Sequence, residues 1–202
     1  MIKLYCFPRS GNSREVKIAL SEKKIPFETV NTHAPDFNKE DAEFKKASPK
    51  GKVPAIIDSD VYMSEALDIN QYLDKKYPSP ALMPKDAAAQ AKIHEWVMVS
   101  DKAFVLKIGL LVIECLLKPK DQQKEETKQK LRSEIVDAMK AMDRMLEGRE
   151  YLFGDYSLAD ISVTPHIAAL PILGTGIPAE LKNVTAWFAR IQARPSFKQS
   201  AA

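Results

Sequence analysis

A chain of 202 residues, 45% of them apolar and 28% charged, has enough apolar side chains for two modest cores or one large one and too many to stay disordered. Lys and Arg number 30 against 27 acidic residues, a net charge of +3 with no long basic block unbroken by acids, so nucleic acid is not the implied partner. The start MIKLYCFPRS lacks a secretion signal's basic head and apolar core, and the longest apolar stretch, Ile108 to Leu117, is broken by Glu114 and short of the roughly 20 residues that span a bilayer; a cytoplasmic chain without a membrane span is expected.

In chain order, IKLYCF reads as a strand and SGNSREVKIALSEKK as a helix carrying Val16, Ile18, Ala19 and Leu20, stopped by Pro26. FETV is a second strand, and the polar stretch from Asp36 to Lys46 holds Phe37 and Phe44 at helical spacing. KVPAIID and VYM form a hairpin across Asp58, Ser59 and Asp60, and a helix from Ser64 to Lys76 carries Ala66, Ile69, Tyr72 and Leu73. The order is β-α-β-α-β-β-α over residues 1–77. Three prolines in YPSPALMP stiffen a linker over 78–84. Residues 85–202 then read as all helix, about Ala87 to Leu117, Asp121 to Glu147, Leu158 to Leu170 and Glu180 to Ala193. Ser157 and Asp160 fit a capping box, a structural feature without chemistry.

Chemistry concentrates at three places in the first half. Ser10 to Ser13 lie where strand one gives way to a helix, whose free amides and dipole favour an anion and lower the pKa of a bound thiol. A hydroxyl at Ser10 can donate to a thiolate; Ser13 competes for that role, and both also read as ordinary helix caps. In ASPKGKVPAI, Pro54 stands at a strand start, which implies an edge or a cis bond that exposes the backbone of Val53 to an extended peptide. Ser64-Glu65-Ala66 opens another helix, with amides for a carboxylate and Glu65 for an ammonium. Cys6 and Cys115 lie far apart, as do His33, His94 and His166, so no metal or redox-pair spacing is present.

KLYCFPRSGNSREVKIAL, ASPKGKVPAI, SEALDINQYL, SLADISVTP and ARPSF together resemble the cytosolic glutathione S-transferases, in that family's order and over nearly the whole chain. The resemblance implies a thioredoxin-like α/β domain followed by an all-α domain, glutathione as co-substrate, no metal, and a homodimer. It places Ser10 at the thiolate-supporting hydroxyl of the serine-type classes, phi-like, bacterial-like or zeta-like. Asn12 stands where zeta-like members carry cysteine, which weakens their isomerase reading. The resemblance also implies that Val53 pairs its backbone with the cysteinyl unit across a cis-Pro54, that Lys52 meets the glycyl carboxylate, and that Lys39 is a further cation there, with a solvated lysine as its alternative. By the same resemblance, Glu65 is expected to hold the γ-glutamyl ammonium. Ala66 replaces the family's serine, leaving its amide for the carboxylate and one hydrogen bond fewer.

The expected activity is formation of a glutathione thiolate that attacks a small apolar electrophile or a peroxide, with no general base and no metal. The second substrate is expected over Phe7 and Arg9 and the helix bearing Val97, Asp101, Phe104 and Val105. The alternative is a non-catalytic ligand-binding or dimerisation module of the same fold.

Overall fold

The computed structural model describes residues 1–33, 37 and 41–200. They form two compact units, Met1–Met83 joined by the stretch from Ala193 onward, and Pro84–Gln192.

The first unit is a four-stranded sheet in the order β2-β1-β3-β4, with β1 at Ile2–Cys6, β2 at Phe27–Asn31, β3 at Ala55–Asp58 and β4 at Val61–Ser64. β1 and β2 are parallel around helix α1 (Gly11–Glu22), while β3 runs antiparallel to both β1 and β4. Alternation along the strands divides the apolar residues between two faces. Ile2, Leu4, Cys6 and Ile56 pack with Val16 and Leu20 of α1 and with Ile69 and Leu73 of helix α3 (Ala66–Lys76). Tyr5, Ala55 and Ile57 point the other way, onto Phe44 and Ala47 of the short helix α2 (Ala42–Ala47). The expected β-α-β-α-β-β-α order is therefore present. β3 starts at Ala55 rather than at Lys52, since Pro54 has no N–H for a ladder and the Val53–Pro54 bond is cis.

The second unit is helical: α4 (Ala87–Ser100), a π-helical stretch at Asp101–Val105, α5 (Leu106–Val112), a second π-helical stretch at Ile113–Leu117, α6 (Glu125–Met145), α7 (Leu158–Ala168) and α8 (Lys182–Ala193). α7 is buried almost all round, and the polar atoms it takes inside are hydrogen-bonded. The capping box is formed: Asp160 Oδ2 accepts from the Ser157 N–H at 3.0 Å, and Ser157 Oγ accepts from the Ala159 N–H at 3.3 Å. Asp160 Oδ1 also accepts from the Leu152 N–H at 3.1 Å and from Nε1–H of the fully buried Trp187 at 2.8 Å.

A short helix absent from the sequence reading, α9 (Pro195–Gln199), returns to α1. Arg194 grips Glu22 with two nitrogens, Nε at 2.7 Å and one terminal nitrogen at 2.9 Å, while Ser196 donates to the same carboxylate. Burial pushes the Glu22 carboxyl up, but those hydrogen bonds outweigh it and hold the group below its ordinary value. At the other end of α1, the Arg14 guanidinium lies 4.4 Å from the centre of the Phe197 ring and donates to Ser200 Oγ at 3.0 Å.

Candidate functional site

Hydrogen-bond register builds the site. Tyr5 stands opposite Ala55, and Ala55 opposite Ser64. Adjacent strands are about 4.8 Å apart, so the segments that follow β1, precede β3 and follow β4 leave the sheet side by side at one end. They carry Ser10, Lys52 with Val53 and Pro54, and Glu65 with Ala66. The three stretches singled out in the sequence are brought together.

Ser10 is the N-cap of α1. Its Oγ accepts from the Ser13 N–H at 3.2 Å, and its own N–H donates to the Phe7 C=O at 2.9 Å. Capping uses a lone pair of the hydroxyl and leaves the proton free to be donated, so the cap and the anion-supporting role are compatible. No acidic side chain occupies the first turn of α1 to compete with an anion there. Ser13, the competitor, is only 1% exposed, and its hydroxyl turns inward to accept from the Phe7 N–H.

The stretch before β3 is held by Ser48, whose Oγ donates to the Lys52 C=O at 2.7 Å and accepts from the Lys52 N–H at 2.9 Å. Gly51, at φ +63°, makes the turn that permits this double tie. It presents Val53, whose backbone N–H and C=O form no hydrogen bond with a described residue, and the exposed Lys52 side chain. A backbone donor and acceptor in this state match an extended peptide.

The third stretch differs from expectation in its boundary. Ser64 is the last residue of β4, and Glu65 caps α3 with φ 74° and no side-chain capping bond. A non-glycine residue in that region costs roughly 1–3 kcal/mol. The turn holds the Glu65 carboxylate in solvent beside the first amides of α3, starting with that of Ala66, which have no described partner. Lys39 lies outside the described residues.

Two features correct or extend the sequence reading. Val97 and Phe104 are core residues, 3% and 1% exposed, whereas Leu106, Leu110, Ile113 and Leu117 line the exposed apolar side of the same helical stretch. The ring of His33, which the sequence left among scattered histidines, lies 4.1 Å from that of Phe7, centre to centre. A hollow of about 560 Å³ opens at the opposite end of the sheet, between Ile2, Ile25, Asp58 and Tyr77. Its Lys23 and Lys76 are already paired with Asp74 and Asp58, and it carries none of the candidate residues. Among the described residues no group of three or more His, Cys, Asp or Glu is placed to hold a metal ion, and no helix is long and apolar enough to cross a membrane.

Residues 4–81 match the family described as "Glutathione S-transferase, N-terminal domain" and residues 104–195 match "Glutathione S-transferase, C-terminal domain". Glutathione S-transferase 3 of Zea mays is 30% identical, with 100% of this chain and 93% of the relative covered. Glutathione S-transferase F10 of Arabidopsis thaliana is 29% identical over 96% of this chain and 94% of its own length. A glutathione transferase from Burkholderia graminis, solved with two glutathione molecules bound per subunit, superposes with a TM-score of 0.83 at 27% identity, covering 99% of this chain and 87% of that one. The chain is an enzyme of the glutathione S-transferase family.

Proposed function

We propose that this protein binds glutathione at the sheet end bearing Ser10, Val53 and Glu65 and converts its thiol to the thiolate, which attacks an electrophilic or peroxide substrate. The observation that carries this reading is the register row Tyr5, Ala55, Ser64, which puts a helix N-terminus, an unpaired strand-like backbone and an acid-plus-amide corner side by side. Each fits one part of the tripeptide. Val53 offers N–H and C=O to the cysteinyl unit, Lys52 a charge to the glycyl carboxylate with Lys39 as a further cation, and Glu65 with the Ala66 amide meets the γ-glutamyl ammonium and carboxylate. The thiolate then lies at the N-terminus of α1, stabilised by the Ser10 hydroxyl and the helix dipole.

Titrating the thiolate absorbance of bound glutathione tests the reading. A thiol pKa well below the free value of about 8.5 is expected. Failure to bind, or an unshifted thiol, removes it in favour of a binding module, which Ala66 favours by lacking the serine hydroxyl. That departure carries its own expectation. Ala66→Ser restores one hydrogen bond and tightens glutathione binding about fivefold, or about 1 kcal/mol, read by calorimetric titration.

The exposed stripe Leu106, Leu110, Ile113 and Leu117 of the helical unit supports an apolar second substrate, in place of Val97 and Phe104. A homodimer is the assembly the family membership suggests. Sedimentation equilibrium is expected to give about twice the chain mass of 22.6 kDa.

A further inference from the structure

The loop that presents Val53 carries more positive charge than a single carboxylate neutralises. From the end of α2 onward it is tied at every step. The Ser48 N–H donates to the Phe44 C=O at 2.7 Å, the Gly51 N–H donates to the Ser48 C=O at 2.8 Å, and the Ser48 hydroxyl engages both backbone groups of Lys52. Lys46, Lys50 and Lys52, all exposed, stand on this one knot of chain. The Lys46 ammonium lies 3.7 Å from the centre of the Tyr62 ring, and Tyr62 packs with Val53 on the cluster that holds Tyr5, Phe44 and Ala47, so this charge is on the face of the sheet that Val53 joins. None of the three lysines has a carboxylate of a described residue within ion-pair distance. The two acids of α2 and its cap are engaged elsewhere, Glu43 by Lys3 at 2.6 Å and Asp41 by the Phe44 N–H at 2.8 Å. Direction follows from the backbone. A residue that exchanges both N–H and C=O bonds with Val53 lies antiparallel to it, so the ligand residue that follows the cysteinyl unit runs alongside Lys52 and toward this rim.

We propose, resting on the transferase reading above, that this rim selects thiol tripeptides whose C-terminal residue carries a second carboxylate, with γ-glutamylcysteinylglutamate preferred over glutathione. Glycine brings one carboxylate to three cations. Lys52 meets the α-carboxylate, as with glutathione, and Lys46 and Lys50 take the side-chain carboxylate, which two methylenes carry outward from the backbone. Lysine suits the task, because a compact charge on a flexible stem follows a mobile side chain without demanding one fixed geometry. All these charges stay in water, so the preference is modest and salt screens it.

Calorimetric titration with three peptides tests it: glutathione, γ-glutamylcysteinylglutamate, and γ-glutamylcysteinylglutamine, which matches the second in size but lacks its extra charge. At about 20 mM salt the glutamate peptide is expected to bind the native chain about fivefold tighter than the glutamine peptide. The two should bind about equally at about 0.5 M salt, and also at low salt in a double variant, Lys46→Gln with Lys50→Gln. Both lysines are exposed, so that variant is expected to fold. A native chain that binds glutathione but takes the two larger peptides equally at low salt, or takes neither, overturns the proposal and leaves the transferase reading intact. So does a preference that survives in the double variant. A native chain that binds none of the three removes both readings together.

Discussion

Replacing Ser10 by alanine is expected to move the thiol of bound glutathione about one to two pKa units back toward its solution value and to lower kcat/KM at neutral pH by about 10- to 100-fold. Each unit corresponds to about 1.4 kcal/mol of preferential stabilisation of the thiolate, the strength of one hydrogen bond to a charged group. The hydroxyl also caps α1 through its bond to the Ser13 N–H, so alanine further costs about 1 kcal/mol of stability. Ser10→Asp separates the two roles. A carboxylate keeps the capping acceptor but sets a negative charge beside the thiolate, so the fold is retained while the thiol pKa rises above that of the alanine variant. The readings are thiolate absorbance against pH and the denaturant midpoint of each variant. A thiol that stays acidic in Ser10→Ala assigns its activation to the helix terminus alone.

The second large effect concerns stability. Asp160→Asn is expected to cost about 3–5 kcal/mol, read as a lowered guanidinium midpoint, since a buried polar network loses its acceptor. All four groups that reach this carboxylate donate: the N–H groups of Leu152 and Ser157, the Ser157 hydroxyl and the Trp187 indole. An amide turns an NH₂ toward two of them. The loss should also depend on pH. An unfolded aspartate takes up its proton near pH 3.9, whereas burial pushes the folded Asp160 carboxyl up to about 6. Between these values the folded chain holds more protons than the unfolded one. The contribution of this group is therefore full below about pH 4 and is lost as pH rises through about 6. Asparagine does not titrate, so the gap between native chain and variant should widen by roughly 2 kcal/mol from neutral pH to pH 4. A gap that narrows in acid means that the four hydrogen bonds outweigh burial.

Local patterns carried much of this protein into view. Strand alternation and turn residues gave the succession of strands and helices along the chain, and the Ser157–Asp160 spacing gave the capping box, because each depends on residues a few positions apart. The candidate site was legible as three separate stretches, while their meeting at one sheet end required the register that pairs Tyr5 with Ala55 and Ser64. What escaped depends on the backbone or on distant partners. The positive φ of Glu65 moves the start of α3 past Ser64, and nothing in a glutamate announces it. Val97 and Phe104 stand seven positions apart on one helical face, a spacing that suits core as well as pocket, and both are buried. His33 acquires a neighbourhood only through the parallel pairing of β1 and β2.

The return of α9 to α1 also sets an order of assembly. The helix whose N-terminus carries Ser10 is clasped by residues made 172 and 186 positions later, through Glu22 to Arg194 and Arg14 to Ser200. During synthesis the sheet and α1 can collapse early, but their last supports arrive only after the whole helical unit has left the ribosome. A premature stop between Ala66 and Arg194 would leave every candidate glutathione contact encoded yet α1 unclasped, so shortened products should be preferred targets for proteolysis.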